Sequence, residues 1–96
     1  MKKYKLDYSD TALMNLRDIV SYIAADNKQK AIEYRQGVEK VILNLSDFPY
    51  SGKKRNTSEN ERMCFYWNHK ICYTVNEISC TVEIEYISHG AMKERK

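Results

Sequence analysis

Lys53, Lys54, Arg62, Glu83, Glu85, Tyr86 and His89 are the side chains of this 96-residue sequence whose types could act on a phosphodiester. Cutting RNA beside a ribose hydroxyl needs a base to take a proton, cations to steady a crowded phosphate and an acid for the leaving oxygen. As a nuclease set, Arg62, His89, Lys53 and Lys54 would share those roles. Two features weigh against it. Glu83 and Glu85 point from the same side of one strand-like run, where two carboxylates would repel a phosphate. His89 is followed by Gly90-Ala91, with no aromatic residue behind it to stack on a base. The other chemistry is recognition without any catalytic residue. His89, Met92, Lys93, Arg95 and Lys96 then form a basic terminal segment that Met92 anchors to the body and that reaches a partner, against the view that this end has no function.

The remaining candidates have plainer readings. His69 stands between two strand-like runs and is expected to be a polar turn residue that hydrogen-bonds the backbone. Cys64, Cys72 and Cys80 are spaced by eight, with no C-x-x-C pair and no histidine cluster, which argues against zinc and against a disulfide framework. Reduced, strand-borne thiols packed as small hydrophobes are expected, with no metal and no cofactor. Lys53-Lys54-Arg55 could touch phosphate but reads first as a solvated loop. The net charge of +3 is concentrated at the two ends, with Lys2, Lys3 and Lys5 at one and Lys93, Arg95 and Lys96 at the other. That modest balance is thin support for a dedicated nucleic-acid binder.

Hydrophobic residues make up 43% of the chain and charged residues 30%, a globular balance with material for one compact core. One domain over residues 1–96 is expected. No apolar run approaches the roughly 20 residues of a membrane span, and no apolar signal core follows the basic start. These readings predict a cytoplasmic protein that does not enter a membrane.

The elements that must position these side chains follow from periodicity. Tyr4, Leu6 and Tyr8 alternate with Lys3, Lys5 and Asp7, as in a half-buried strand. Ser9 or Asp10 can cap the helix that follows. Leu13, Leu16, Val20 and Ile23, widened by Ile19, predict a first helix, with Leu13, Leu16 and Val20 expected in the core. After Asp26-Asn27-Lys28, the positions Ala31, Tyr34, Val38, Val41, Ile42 and Leu45 predict a second helix, expected to bury Val38 and Leu45 and to fold back on the first as an antiparallel hairpin. Gly37 inside it is either a close approach of backbones or a tolerated defect. Pro49 ends the helix, and a polar loop is expected from Lys53 to Glu61. Met63, Phe65 and Trp67, then Ile71, Tyr73 and Val75, then Val82, Ile84 and Tyr86 give three strands, each with one apolar face. The expected fold is α+β: an N-terminal strand, a helical hairpin, then a three-stranded antiparallel meander, with the hairpin packed on one face of a four-stranded sheet.

In that order, several motifs resemble the RelE/ParE superfamily of type II toxins across nearly the whole chain. They are the helix start Ala12-x-x-x-Leu16 with Ile19 and Tyr22-Ile23, then Ala31, Leu45-x-x-x-Pro49-x-x-Gly52 and Arg62-x-x-Phe65. His69-x-Ile71-x-Tyr73-x-Val75 follows, and last Ile84-x-x-Ile87-x-His89-x-x-Met92 with Arg95. The terminal His89-x-x-Met92 with a nearby base is similar to the ParE branch.

What the resemblance implies is a growth-inhibiting, plasmid-stabilising toxin that traps DNA gyrase and is wrapped by a cognate antitoxin in a hetero-oligomer. Two alternatives stand beside it. One is a RelE-like endoribonuclease acting on messenger RNA at the ribosome. The other is an inactive relative that only binds antitoxin, because Met63-Cys64 occupies strand positions where relatives are often basic.

Overall fold

The computed structural model describes residues 3–89. Along the chain lie β1 (Lys5–Tyr8), α1 (Asp10–Asp26), α2 (Lys28–Asn44), β2 (Lys53–Lys54), β3 (Glu61–Tyr66), β4 (His69–Asn76) and β5 (Thr81–His89). The expected α+β order is present, with the two-residue β2 in addition. The strands form one sheet in the order β1-β5-β4-β3-β2. β1 runs parallel to β5, while every other pair is antiparallel. The meander is antiparallel as expected, and the sheet is five-stranded rather than four-stranded, mixed because β1 joins it in parallel. Parallel neighbours need a long connection between them, and the hairpin with the meander supplies it.

Capping side chains set the helix boundaries. Ser9 has extended backbone and accepts from Ala12 N at 2.9 Å, the N-cap arrangement that satisfies an otherwise unpaired amide. Its hydroxyl also donates to the Glu85 carbonyl at 2.7 Å, which pins the start of α1 to β5. Asn27 alone separates the helices: its N–H bonds the Ile23 carbonyl to close α1, and its Oδ1 accepts from Lys30 N to open α2. A joint of one residue forces the second helix back along the first.

The core lies between this hairpin and the sheet. Ala12 and Leu16 of α1 and Tyr34, Val38 and Ile42 of α2, with Leu45, close on Ile71, Tyr73 and Val75 of β4 and Val82, Ile84 and Ile87 of β5. Three expectations about facing are corrected. Leu13 is 51% exposed, because α1 turns Ala12 and Leu16 to the sheet and leaves Leu13 on its flank. In β3 the core side is Cys64 and Tyr66, which lie opposite Ile71 and His69, and Phe65 is exposed. In β5 the pairing shifts by one residue: Cys72 faces Tyr86 while Tyr73 faces Ile84, so Glu85 is an extra residue in a bulge. Strand alternation restarts beyond it, and Ile87 rather than Tyr86 points inward. Cys80 lies in the turn before β5, not in a strand, and all three cysteines are free thiols.

His69 is no turn residue. It opens β4, is buried, and its Nδ1 is hydrogen-bonded to the Tyr34 hydroxyl at 3.1 Å with the two rings edge to face. The Leu-x-x-x-Pro-x-x-Gly run also has a physical reason. The buried Tyr73 hydroxyl donates to the Pro49 carbonyl at 2.8 Å and accepts from Gly52 N at 3.0 Å, which fastens the turn after α2 to the sheet. A Cβ at Gly52 would lie 2.6 Å from that hydroxyl and 2.5 Å from the Met63 carbonyl oxygen.

Gly37 marks a close approach. A Cβ there would stand 1.9 Å from the Tyr66 hydroxyl and 2.2 Å from its ring carbon Cζ, so the Tyr66 phenol lies across α2 in a notch that only glycine leaves. Gly37→Ala should gain helix propensity yet lose stability through overpacking, by about 1–3 kcal/mol. With roughly 4–8 °C per kcal/mol in a domain of this size, thermal melts should show a clear fall in Tm. The same change in a Tyr66→Ala background should be neutral or stabilising. A Gly37→Ala protein that melts at or above the wild type would show that the notch is not needed.

Burial, with the Tyr66 phenol beside it, pushes the Tyr34 phenol up to about 12. The unfolded chain binds that proton with a pKa of about 10. The native state thus favours the neutral phenol, and its stabilisation is complete below pH of about 10 and lost as the pH rises towards about 12. Urea unfolding at about pH 9 and about pH 11.5 should show this alkaline loss in wild type and a smaller loss in Tyr34→Phe. Equal losses in the two proteins would exclude Tyr34 as the source.

Candidate functional site

The sheet face away from the helices holds most of the candidate phosphate-acting residues, and an arginine that sequence reasoning set aside organises it. Arg55 follows β2 and crosses three strands. Its Nε donates to the Arg62 carbonyl of β3 at 3.0 Å, and its Nη2 to the Tyr73 carbonyl of β4 at 3.2 Å and to the Glu85 carboxylate of β5. The other Glu85 oxygen accepts from the Thr74 hydroxyl at 2.6 Å. Burial opposes the Arg55 charge, but the hydrogen bond to Glu85 and that residue's charge outweigh it and raise the guanidinium above its ordinary value. The loop expected to be solvated is instead a short strand followed by this half-buried anchor. The bulge lets it form, since the extra residue turns its carboxylate to Arg55 and its carbonyl to Ser9.

Arg62 is also engaged within the fold. Its guanidinium donates to the Glu59 carbonyl at 2.9 Å, to the Glu59 carboxylate at 3.0 Å and to the Gly52 carbonyl at 3.1 Å, and it sits 5.0 Å from the centre of the Tyr50 ring. It ties the turn after α2 to the loop before β3. Lys54 is paired with Glu59 at 2.9 Å, a contact that together with Arg62 lowers the Glu59 carboxyl below its ordinary range. Lys53 is exposed on β2.

Strand register keeps these residues away from His89. Arg62 lies opposite Tyr73, whereas His89 lies opposite His69, at the other end of β4 and on the other side of it. Four residues along the strands and two strand spacings across put their backbones roughly 16 Å apart, at about 3.3 Å per residue and about 4.8 Å per strand. Glu83 and Glu85 both lie on β5, on the Arg55 side of that gap. Met92, Lys93, Arg95 and Lys96 lie outside the described residues. Among the described residues no group of three or more His, Cys, Asp or Glu could hold a metal ion.

The end of the sheet where β5 leaves has a different character. Trp67 forms the β3–β4 turn with Asn68, and its backbone has a φ of 57°. A tryptophan in the left-handed region is strained, by about 1–3 kcal/mol, and aromatic packing offsets that cost: the Tyr34 ring lies edge-on at 4.9 Å and the Tyr66 ring is stacked at 6.0 Å. Beside this cluster a groove of about 530 Å³ runs along α1, lined by Asp18, Ile19, Tyr22, Ile23, Trp67 and His69. Tyr22 is 83% exposed at its rim. His69 forms part of the groove wall, and its backbone pairs with that of His89, the last described residue of β5. Sequence reasoning missed this groove because Ile19 and Ile23 read as hairpin stripe. The mismatch of a bulky residue at a tight two-residue turn was the available signal.

The chain matches the family model described as the ParE toxin of the type II toxin–antitoxin system parDE over residues 6–94. No curated protein matches it in sequence. Among solved structures it is similar to a chain of the chromosomal ParDE system of P. aeruginosa, with 15% identity, TM-score 0.73, and 91% of this chain and 96% of that chain covered. It is also similar to an E. coli RelE toxin mutant in the free state (17% identity, TM-score 0.71, 96% and 88% covered) and to a chain of the intact E. coli RelBE toxin–antitoxin complex (16%, 0.68, 91% and 96%). At such identities the structures speak for the fold, which is shared over most of each chain, and the family model carries the assignment. The chain belongs to the ParE toxin family of type II toxin–antitoxin systems.

Proposed function

We propose that this toxin acts by binding a protein rather than by cutting RNA, that its target is DNA gyrase, and that a cognate antitoxin silences it in the cytoplasm. The observation that carries the reading is the commitment of both outer-sheet arginines. Arg55 and Arg62 donate to backbone carbonyls and to Glu85 and Glu59, and are not poised over an open phosphate site. The roughly 16 Å between the Arg62 and His89 backbones supports it further, since acid, base and cation must meet within hydrogen-bond reach of one phosphate. Binding to a protein instead needs an apolar platform with charged groups at its rim. Tyr22, Ile19, Ile23 and Trp67, with Asp18 and His69 beside them, have that composition, and His89, Met92, Lys93, Arg95 and Lys96 are the residues assigned to target contact. No described helix is long and apolar enough to cross a membrane.

Inducing the chain without its antitoxin should stop growth, switch on the DNA-damage response and leave messenger RNA intact, and purified toxin should inhibit supercoiling by gyrase. Ending the chain after Ala91 should abolish growth arrest with Tm unchanged. Cleaved transcripts together with intact supercoiling at excess toxin would overturn the proposal in favour of the ribosome, and harmless overexpression would favour an inactive, antitoxin-binding relative.

Arg55→Met, which leaves Glu85 with the Thr74 hydroxyl but without its cation, should lower stability by about 1–3 kcal/mol, near the low end because the Glu85 carboxylate is partly open to water. Urea midpoints should show the loss, and Arg55→Lys should restore little of it, since an ammonium cannot span the three strands. A midpoint equal to wild type for Arg55→Met would deny Arg55 its anchoring role.

A further inference from the structure

The groove beside Trp67 does not end at Ile23. A second cavity, of about 420 Å³, continues it to the joint between the helices and shares Tyr22 and Ile23 with it. The two make one groove along a single flank of α1. Its floor is Ile19 and Ile23, both half-buried against the core, and its rim is aromatic, with Tyr22 83% and Trp67 50% exposed. Aromatic rings left in water at the edge of an apolar floor are what a protein contact uses.

The charge of this flank comes from α1. The helix carries three carboxylates, Asp10, Asp18 and Asp26, and one cation, Arg17. Asp18 and Asp26 line the groove, whereas Arg17 lines a cavity between the two helices with Leu13 and Val20. Asp18, Tyr22 and Asp26 follow one another at intervals of four, so they form a single row on the helix surface. The two carboxylates are eight residues apart, roughly 12 Å at about 1.5 Å per residue. Both are exposed, and among the described residues neither is held in an ion pair. Lys30, at the joint, is the only lysine or arginine that lines the groove.

We propose that this groove docks a basic amphipathic helix of the target protein, with two arginines eight positions apart over Asp18 and Asp26 and aliphatic side chains between them on Ile19 and Ile23. The inference rests on the reading of this chain as a toxin that acts by binding a protein, and adds which kind of segment it grips. The sign follows from the two carboxylates. An acidic occupant would be repelled at both, and a neutral one would bury them beside apolar surface without a partner. The spacing follows from geometry, since a helix lying along α1 has the same rise and presents its cations at the interval of the carboxylates. Arginine suits the site better than lysine, because a guanidinium can take a carboxylate with two donors while lying over an aromatic ring. Tyr22 stands between the two carboxylates, and Trp67 lines the same cavity as Asp18.

Trp67 is the only tryptophan of the chain and reports on the groove directly. In the full chain, its emission should change on titration with a tryptophan-free helical peptide of about 15 residues that has arginines eight positions apart and leucines between them. That peptide should bind at least about tenfold more tightly than its glutamate counterpart, with a preference that shrinks as salt rises. The double change Asp18→Asn, Asp26→Asn should weaken it at least about tenfold, with Tm near wild type because both side chains are exposed. The same double change should raise the toxin concentration that halves gyrase supercoiling by a similar factor. Asp7→Asn, at an exposed carboxylate of β1, should change either reading less than about twofold. A glutamate peptide that binds as well as the arginine one overturns the proposal. So does a chain ended after Ala91 that binds the arginine peptide at least about tenfold more tightly than the full chain, because the occupant is then the protein's own basic terminal segment. If the double variant inhibits gyrase as wild type does, the groove is wrong and the gyrase reading stands. If wild type leaves gyrase untouched while the arginine peptide discriminates, the gyrase reading falls and the groove keeps its preference for a basic partner.

Discussion

The outer sheet is organised by a charge placed where three strands can share it. The Arg55 guanidinium takes the Arg62 and Tyr73 carbonyls and the Glu85 carboxylate in one fork, while Glu85 also accepts from Thr74. Arginine suits this position because its donors are planar and fixed in direction, whereas a lysine would satisfy one acceptor at a time. With that contact in place, the residue that ends β2 and opens the loop to β3 is fixed against β3, β4 and β5. Arg62 extends the same anchoring one strand outward. Both arginines of this face are thereby held by partners within the fold.

Beneath the sheet, two buried tyrosines are set within a largely aliphatic core. Tyr34 and Tyr73 are fully buried, and each hydroxyl has a polar partner: His69 for the first, the Pro49 carbonyl and Gly52 amide for the second. A buried phenol without a partner would be costly, so these bonds also specify the neighbours. Gly52 and Gly37 are the counterparts of this choice, since one lets backbone reach the Tyr73 hydroxyl and the other leaves room for the Tyr66 ring. The strained Trp67 turn is held by the same aromatic group, so core and candidate recognition surface share side chains.

Much of the architecture was legible in the sequence, because two-residue and three-to-four-residue periods report directly on strands and helices. The capping role of Ser9, the break at Asn27 and the end of α2 before Pro49 all follow from local chemistry. What was not legible depends on register and on partners distant in the chain. β3 has apolar side chains on both faces, so alternation alone could not decide whether Phe65 or Tyr66 points inward. His69 looked like a turn residue because Trp67-Asn68 forms a turn of only two residues and the strand begins one residue sooner than expected. Leu13 fits the helical stripe, but the stripe is wider than the surface it covers. Arg55 sits in a basic triplet that reads as solvated, and its acceptors lie 7 to 30 positions away. Of the residues assigned to target contact, Met92, Lys93, Arg95 and Lys96 lie outside the described residues.

The extra residue at Glu85 also bears on how members of this family are compared. Up to Ile84, β5 keeps step with β1 and β4. Beyond the bulge the Ile87 and Ser88 side chains have changed sides relative to a regular strand. A homologue without the insertion, aligned to this one with no gap, would have its Ile87 and Ser88 equivalents assigned to the wrong faces. Residue-by-residue transfer of roles in the last strand is sound only after that single position has been accounted for in space.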